Sequence, residues 1–191
     1  MKKTSKLTAG VAASILFVPA FADPAADPNA AEAKALVKEF FASLKGELEA
    51  AISAGGPASA ISVCKERAPA IAESLSEKSG WELGRTSLKL RNPELNAPDA
   101  WEKQVLLKFE ERKDGGEDVK AMAFAEVVES DGGKRYRFMK AIPTVELCLL
   151  CHGESISPDI AAAIDEAYPE DQARGFALGD IRGAFTFSKP L

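Results

Sequence analysis

The sequence predicts an α+β domain in which helices come first and a mostly antiparallel sheet follows. Three observations carry that expectation. Apolar residues recur at three- and four-residue spacing through the first half of the chain. After Asp114, short alternating runs are separated by glycine-rich turns. The length of 191 residues, 46% of them apolar, is one domain's worth, with enough chain to bury a core.

Residues 1–22 (MKKTSKLTAGVAASILFVPAFA) read as a secretory signal peptide, with Lys2, Lys3 and Lys6, an apolar stretch to Phe21, and the small-residue site Ala20-Phe21-Ala22. The stretch is short for a membrane span and runs into Asp23-Pro24, so the expectation is cleavage, a periplasmic or otherwise exported protein, and no membrane insertion afterwards. A flexible leader is expected over residues 23–34 and the domain proper over 35–191, with Asn29 available to cap a long N-terminal helix. That helix carries Leu36, Val37, Phe40, Phe41, Leu44, Leu48 and Ile52 on one stripe and ends at Gly55-Gly56-Pro57. A second helical stretch runs from Pro57 to Ser79, interrupted near Pro69 and closed by Gly80.

Trp81–Leu90 reads as extended and Arg91–Pro98 as loop. Asp99 caps a helix over Ala100–Arg112. Met122–Val128 and Lys134–Ile142 form a hairpin around Asp131-Gly132-Gly133. A short helix follows Pro143, another starts at Ser157-Pro158-Asp159, and Ile181–Ser188 is a last strand.

The formal charge is −5, and loss of the three leader lysines with no acidic residue takes it to −8. Such acidity argues against nucleic acid and against an anionic membrane surface.

The chain has three cysteines and one histidine, and two of those cysteines and the histidine stand together as Cys148-Leu149-Leu150-Cys151-His152. This is the C-x-x-C-H pattern of covalent c-type haem attachment. Thiols three residues apart on one helical turn can each form a thioether with a haem vinyl, and the adjoining imidazole reaches the iron from the same side. Random scattering of these residues produces the pattern roughly once in 6,000 sequences of this composition. A disulfide leaves His152 unexplained, zinc lacks further Cys and His ligands, and a thioredoxin-like pair belongs near a βαβ unit. One haem c is the expected cofactor.

With a single histidine, bis-histidine ligation within the chain is excluded. Candidates for the opposite face of the iron are Met122, Met139, Cys64, a lysine, or an open position. Cys64 shares a helix face with Ala60, Ile61, Ala68 and Ile71, which suits either an inert buried thiol or a ligand.

Several segments in order resemble a family of exported single-haem c-type proteins with a PAS-like fold, largely of unknown function. They are AISVCKERAPAIA (Ala60–Ala72), GWELGRTSLKLRNPELNAPDAWE (Gly80–Glu102), CLLCHG (Cys148–Gly153) and YPEDQARGFALGDIRGAF (Tyr168–Phe185). The resemblance runs from about Ala35 to Ser188. It implies a PAS-like antiparallel sheet with flanking helices, and Cys64 as distal ligand opposite His152, the proximal one. Thiolate donation stabilises ferric iron and depresses the reduction potential. Arg91 and Arg182 are candidate partners of the haem propionates, against the alternative of ordinary salt bridges. Trp81, Trp101 and Phe185 are candidates for the pocket wall, against plain core packing.

Three functions compete. The first is low-potential electron transfer with a redox partner protein. The second is a redox or gas sensor that displaces Cys64 on reduction, binds NO or CO at ferrous iron, and passes its signal to a separate signalling protein. The third, a haem enzyme, ranks last, because no second histidine is available for acid–base work; the expectation is no enzymatic activity.

Overall fold

A computed structural model of the protein describes residues 27–130 and 132–191. The expected signal peptide and the start of the leader lie outside the described residues. Among the described residues the elements are, in order, α1 (Pro28–Ser62), a π turn (Val63–Arg67), α2 (Ala68–Ser79), β1 (Glu82–Thr86), α3 (Pro93–Asn96), α4 (Ala100–Asp114), β2 (Ala123–Ser130), β3 (Gly133–Pro143), α5 (Glu146–His152), α6 (Pro158–Ala167) and β4 (Ile181–Pro190). The strands pair antiparallel in the order β1-β4-β3-β2. The α+β class with a long N-terminal helix is therefore the observed one, and helices flanking an antiparallel sheet are consistent with a PAS-like fold. None of the described helices is long and apolar enough to cross a membrane.

The N-terminal expectation needs correction. The leader does not extend to residue 34, because residues 28–34 are the first turns of α1 and bury Ala30 and Ala33 in the core. The cap is Asp27, not Asn29: its carboxylate accepts the Asn29 N–H at 2.9 Å and the Tyr136 hydroxyl at 2.5 Å. Pro28 suits the first helical position because its missing N–H would have no intrahelical partner there.

Further on, α1 breaks where expected. Gly56 takes φ 77°, a left-handed value that favours glycine, and Pro57 follows. The second interruption, expected near Pro69, is the π turn Val63–Arg67, one turn widened to i→i+5 spacing just before Pro69 in the first turn of α2. Residues 91–98 are less irregular than expected, since Asn92 caps the single turn α3. In α4, Asp99 and Glu102 form a reciprocal capping box at 2.8 and 3.0 Å.

Two apolar layers cover the sheet. On one face Leu36 and Phe40 of α1 and Ile71 and Leu75 of α2 pack on Tyr136, Phe138, Phe185 and Phe187. On the other, Val105, Leu106 and Phe109 of α4 pack on Met122, Met139, Ile181 and Ala184. The odd-numbered residues of β4 change face between Ile181 and Phe185. The cause is a bulge: Ile142 pairs with Gly183 and Pro143 with Ile181, leaving Arg182 without a partner on β3. Gly183 has φ 157°, and a Cβ there would lie 2.4 Å from the Thr86 carbonyl oxygen, so only glycine fits.

Candidate functional site

A cavity of about 710 Å³ lies between the α1–π turn–α2 arm, the β1–β4 edge of the sheet, and α5. That volume is within the roughly 300–1,000 Å³ of ordinary ligand and cofactor sites. Cys64, Cys148, Cys151 and His152 all line it, and each of the three thiols is free. Phe40, Leu44, Ile61, Ile142 and Phe185 supply much of the apolar wall.

Helix α5 presents both half-buried thiols to the cavity. Leu149 and Leu150 separate them by one helical turn, so both sides of the pattern reach the same space. Burial pushes the Cys151 thiol above its ordinary range. At the end of α5, Gly153 is packed so tightly that a Cβ would lie 2.7 Å from the Leu149 carbonyl oxygen.

The imidazole of His152 is held by the segment 171–176. Its Nδ1 lies 2.7 Å from the Ala173 carbonyl, which makes Nδ1 the donor and leaves the Nε2 lone pair free. The Phe176 N–H donates to the His152 carbonyl at 3.0 Å, and Gly175 N–H to Gly153 at 3.1 Å. Burial, with the charges of Arg182 and Arg91, pushes the His152 pKa down to about 2, so the ring is a neutral donor at physiological pH.

Both arginines singled out from the sequence are at the cavity, with different commitments. Arg91 donates to Asp171 at 3.0 Å, to the Cys151 carbonyl at 2.6 Å and to the Ala173 carbonyl at 3.1 Å. Its side chain is 10% exposed and that of Asp171 only 2%. It clamps the peptide that carries the second cysteine to the peptide that orients the histidine.

Arg182, turned towards the cavity at the bulge, makes no ion pair with a described carboxylate. Its Nε lies 3.2 Å from Nδ1 and 3.3 Å from Nε2 of His152. Equal distances to both ring nitrogens place it over the ring face, which leaves the in-plane lone pair of Nε2 unobstructed. Its Nη1 donates to Ser87 at 3.2 Å. Although part of it is open to the cavity, enclosure by protein lowers its pKa to about 10, with Arg91 and Arg85 adding repulsion.

Arg85 escaped sequence reasoning. It stands on β1 opposite Phe185, on the same face as Leu83, and its guanidinium lies 5.8 Å over the ring of Phe40. Burial lowers its pKa, opposed by Cys64 and Tyr168. No sequence signal distinguishes it from a solvent-facing strand arginine.

The remaining candidates separate into core and cavity wall. Met122 and Met139 are fully buried against α4 and do not line the cavity. Trp81 packs edge-on to Tyr136 in the core, and Trp101 lies under Arg137 on the α4 side; of the three aromatic candidates only Phe185 reaches the wall. Cys64 sits on the π turn, half-buried, close enough to act electrostatically on Arg85, Arg182 and Cys151. No cluster of three or more His, Cys, Asp or Glu suited to a bare metal ion occurs among the described residues.

Fold and site define a helix-flanked antiparallel domain around a cavity that carries cysteine and histidine donors. Residues 21–190 match the Tll0287-like family, and the chain belongs to it. The solved structure of the cyanobacterial heme-protein Tll0287 superposes with a TM-score of 0.61 at 25% identity, over 86% of this chain and 97% of that one. No curated protein matches the chain.

Proposed function

We propose that the protein is an exported monohaem c-type cytochrome of low-potential electron transfer, with His152 proximal and Cys64 distal. One observation carries the reading: both attachment thiols, the imidazole and the third cysteine converge on one cavity of cofactor size. Its membership of a family with a solved haem protein supports the same cofactor. The residues fit the group. Cys148 and Cys151 would hold its vinyl edge, Nε2 of His152 is left free by the Ala173 carbonyl, and the phenylalanine- and leucine-rich wall suits a macrocycle.

When bound, haem supplies a reversible one-electron couple, and the axial donors set its potential. The chain contributes neutral imidazole, a cysteine sulfur beside arginine cations, and a largely apolar wall. With His152 and Cys64 both holding the group, no position would be left for a substrate, which favours a carrier over an enzyme. Phe41, Leu95, Val145 and Leu150 are exposed at the cavity and leave an edge over which a redox partner protein could exchange electrons.

A second reading, a redox or gas sensor, is favoured by one feature: Cys64 is carried on a π turn, an irregularity that is frequent at functional sites. In that reading Cys64 would be a displaceable donor that makes room for NO or CO on reduction, and a separate signalling protein would receive the change. EPR of the ferric protein, matured in a host that attaches haem c, tests both readings. A low-spin signal with the narrow g-spread of thiolate ligation, lost in Cys64→Ala, is expected. A high-spin wild-type signal refutes distal Cys64, and CO binding by the ferrous protein selects the sensor.

A further inference from the structure

The cavity holds three guanidiniums but only one of them has an internal counter-ion. Arg91 is neutralised by Asp171, itself shared with Arg174 at 2.7 Å. Arg85 and Arg182 make no ion pair with any described carboxylate, and both line the cavity. The folding of β1 and β4 forces this arrangement. Arg85 occupies the face of β1 that elsewhere carries apolar Leu83 and faces Phe185, while the β4 bulge turns Arg182 to that same side. A cation enclosed among aromatic rings without an anion is costly, and such charges persist in proteins where something pairs with them. The face could have held leucine at either place.

Haem carries two carboxylates at the edge opposite its vinyls. The vinyl-binding thiols belong to α5, which packs on α6, whereas the two unpaired guanidiniums belong to the sheet edge. Resting on the haem reading above, we propose that Arg85 and Arg182, and not Arg91, receive the two haem propionates. Arg85 is thereby a cofactor-positioning residue and Arg91 a protein-internal clamp. An arginine fork suits a carboxylate bidentately, which a lysine point charge does not reproduce.

The test uses the full-length haem-loaded protein and the variants Arg85→Leu, Arg85→Lys and Arg182→Lys. A pyridine haemochrome spectrum of the wild type first establishes covalent haem; if it is absent, the haem reading itself fails. With haem in place, reduction potentials are measured across the neutral pH range. Propionates paired with guanidinium stay ionised, so the wild-type potential is level. In Arg85→Leu one propionate loses its partner and protonates more readily. As pH rises it then deprotonates next to the iron, stabilises ferric iron, and the potential falls with pH. Arg85→Lys restores part of the level profile, and Arg182→Lys shows a weaker slope of the same sign. A profile in Arg85→Leu as level as the wild type's overturns the assignment. So does a changed g-spread with a level profile, which would place Arg85 opposite the Cys64 sulfur instead. Should Arg85→Leu fail to fold, Arg85→Lys and Arg182→Lys carry the same comparison, and level profiles in both refute it.

Discussion

The two sides of the cavity are built by different means. On the His152 side, short backbone and charge-assisted bonds determine position: Arg91 holds the Cys151 and Ala173 carbonyls, Asp171 holds Arg91, Arg174 and the Ala173 N–H, and Ala173 holds the imidazole. On the Cys64 side, the π turn is tied down by the buried Val63, by Lys65 reaching the Ala167 carbonyl at 3.1 Å, and by the exposed pair Arg67–Glu47. Exposed pairs contribute little. The contrast teaches that one donor is fixed by a network of buried polar bonds while the other is held by packing and a few exposed polar contacts. On the haem reading proposed above, an exchanging axial donor would be Cys64 and not His152.

The largest effect is expected from breaking the stiff side at its hub. Asp171→Ala takes from Arg91 its only carboxylate among the described residues, from Arg174 one of two, and from the Ala173 N–H its acceptor, in a site where the carboxylate is 2% exposed. Removing one partner from such a network costs about 3–5 kcal/mol, read as a lowered urea midpoint at unchanged slope. Burial alone would raise the Asp171 pKa, but hydrogen bonds from Arg174 and Ala173 and the Arg91 charge hold it below the ordinary range. A depressed folded pKa means stability that is whole above the unfolded value, about 3.9, and lost as pH falls through the folded one. The wild type is therefore expected to lose stability in acid over that window, and Asp171→Ala to lose less. Equal acid sensitivity in both proteins would remove Asp171 from its central place.

Next comes the flexible side. Cys64→Ala removes a half-buried sulfur with no hydrogen bond to replace, so its stability cost stays at about 1 kcal/mol or less. Its spectroscopic effect is the reverse in scale, with the low-spin thiolate signal abolished. A thermal midpoint that drops as far as that of Asp171→Ala would mean the π turn is as rigid as the opposite wall, and the comparison would collapse.

How visible this was in the chain depends on where the information sits. That Cys148, Cys151 and His152 face one cavity was legible because the proposed haem attachment needs a fixed spacing along one helical turn. The cap at Asp99 and the break at Gly55-Gly56-Pro57 were legible for the same reason, each being a local rule. Residues 28–34 misled because alanine-rich sequence reads as linker until a sheet supplies something for Ala30 and Ala33 to pack on. The bulge at Arg182 is one unpaired residue in an ordinary-looking strand, and Arg85 is a charge in a strand of mixed polarity. Neither has a compositional mark. The Ala173 carbonyl that orients His152 is backbone and lies 21 residues from its partner, beyond any local pattern.

The smallest effect tests how far the looseness of the Cys64 side extends. Its helix, α1, is pinned at the far end, where Tyr136 donates to the capping Asp27. Tyr136→Phe removes that bond at a cost of about 1 kcal/mol and leaves the ring packing of Trp81 and Tyr136 largely in place. Burial, and then Asp27, push the Tyr136 pKa above its ordinary value. A raised folded pKa contributes stability that is whole below the unfolded value, about 10, and is lost as pH rises past it. Thermal midpoints taken from neutral to alkaline pH should fall more steeply for the wild type than for Tyr136→Phe. The ferric EPR spectrum should be the same for both, since a looseness confined to the π turn does not feel the N-terminal pin. A spectrum altered by Tyr136→Phe would instead show that the whole arm from Asp27 to Cys64 moves as one lever, and the mobile region would then be α1 itself.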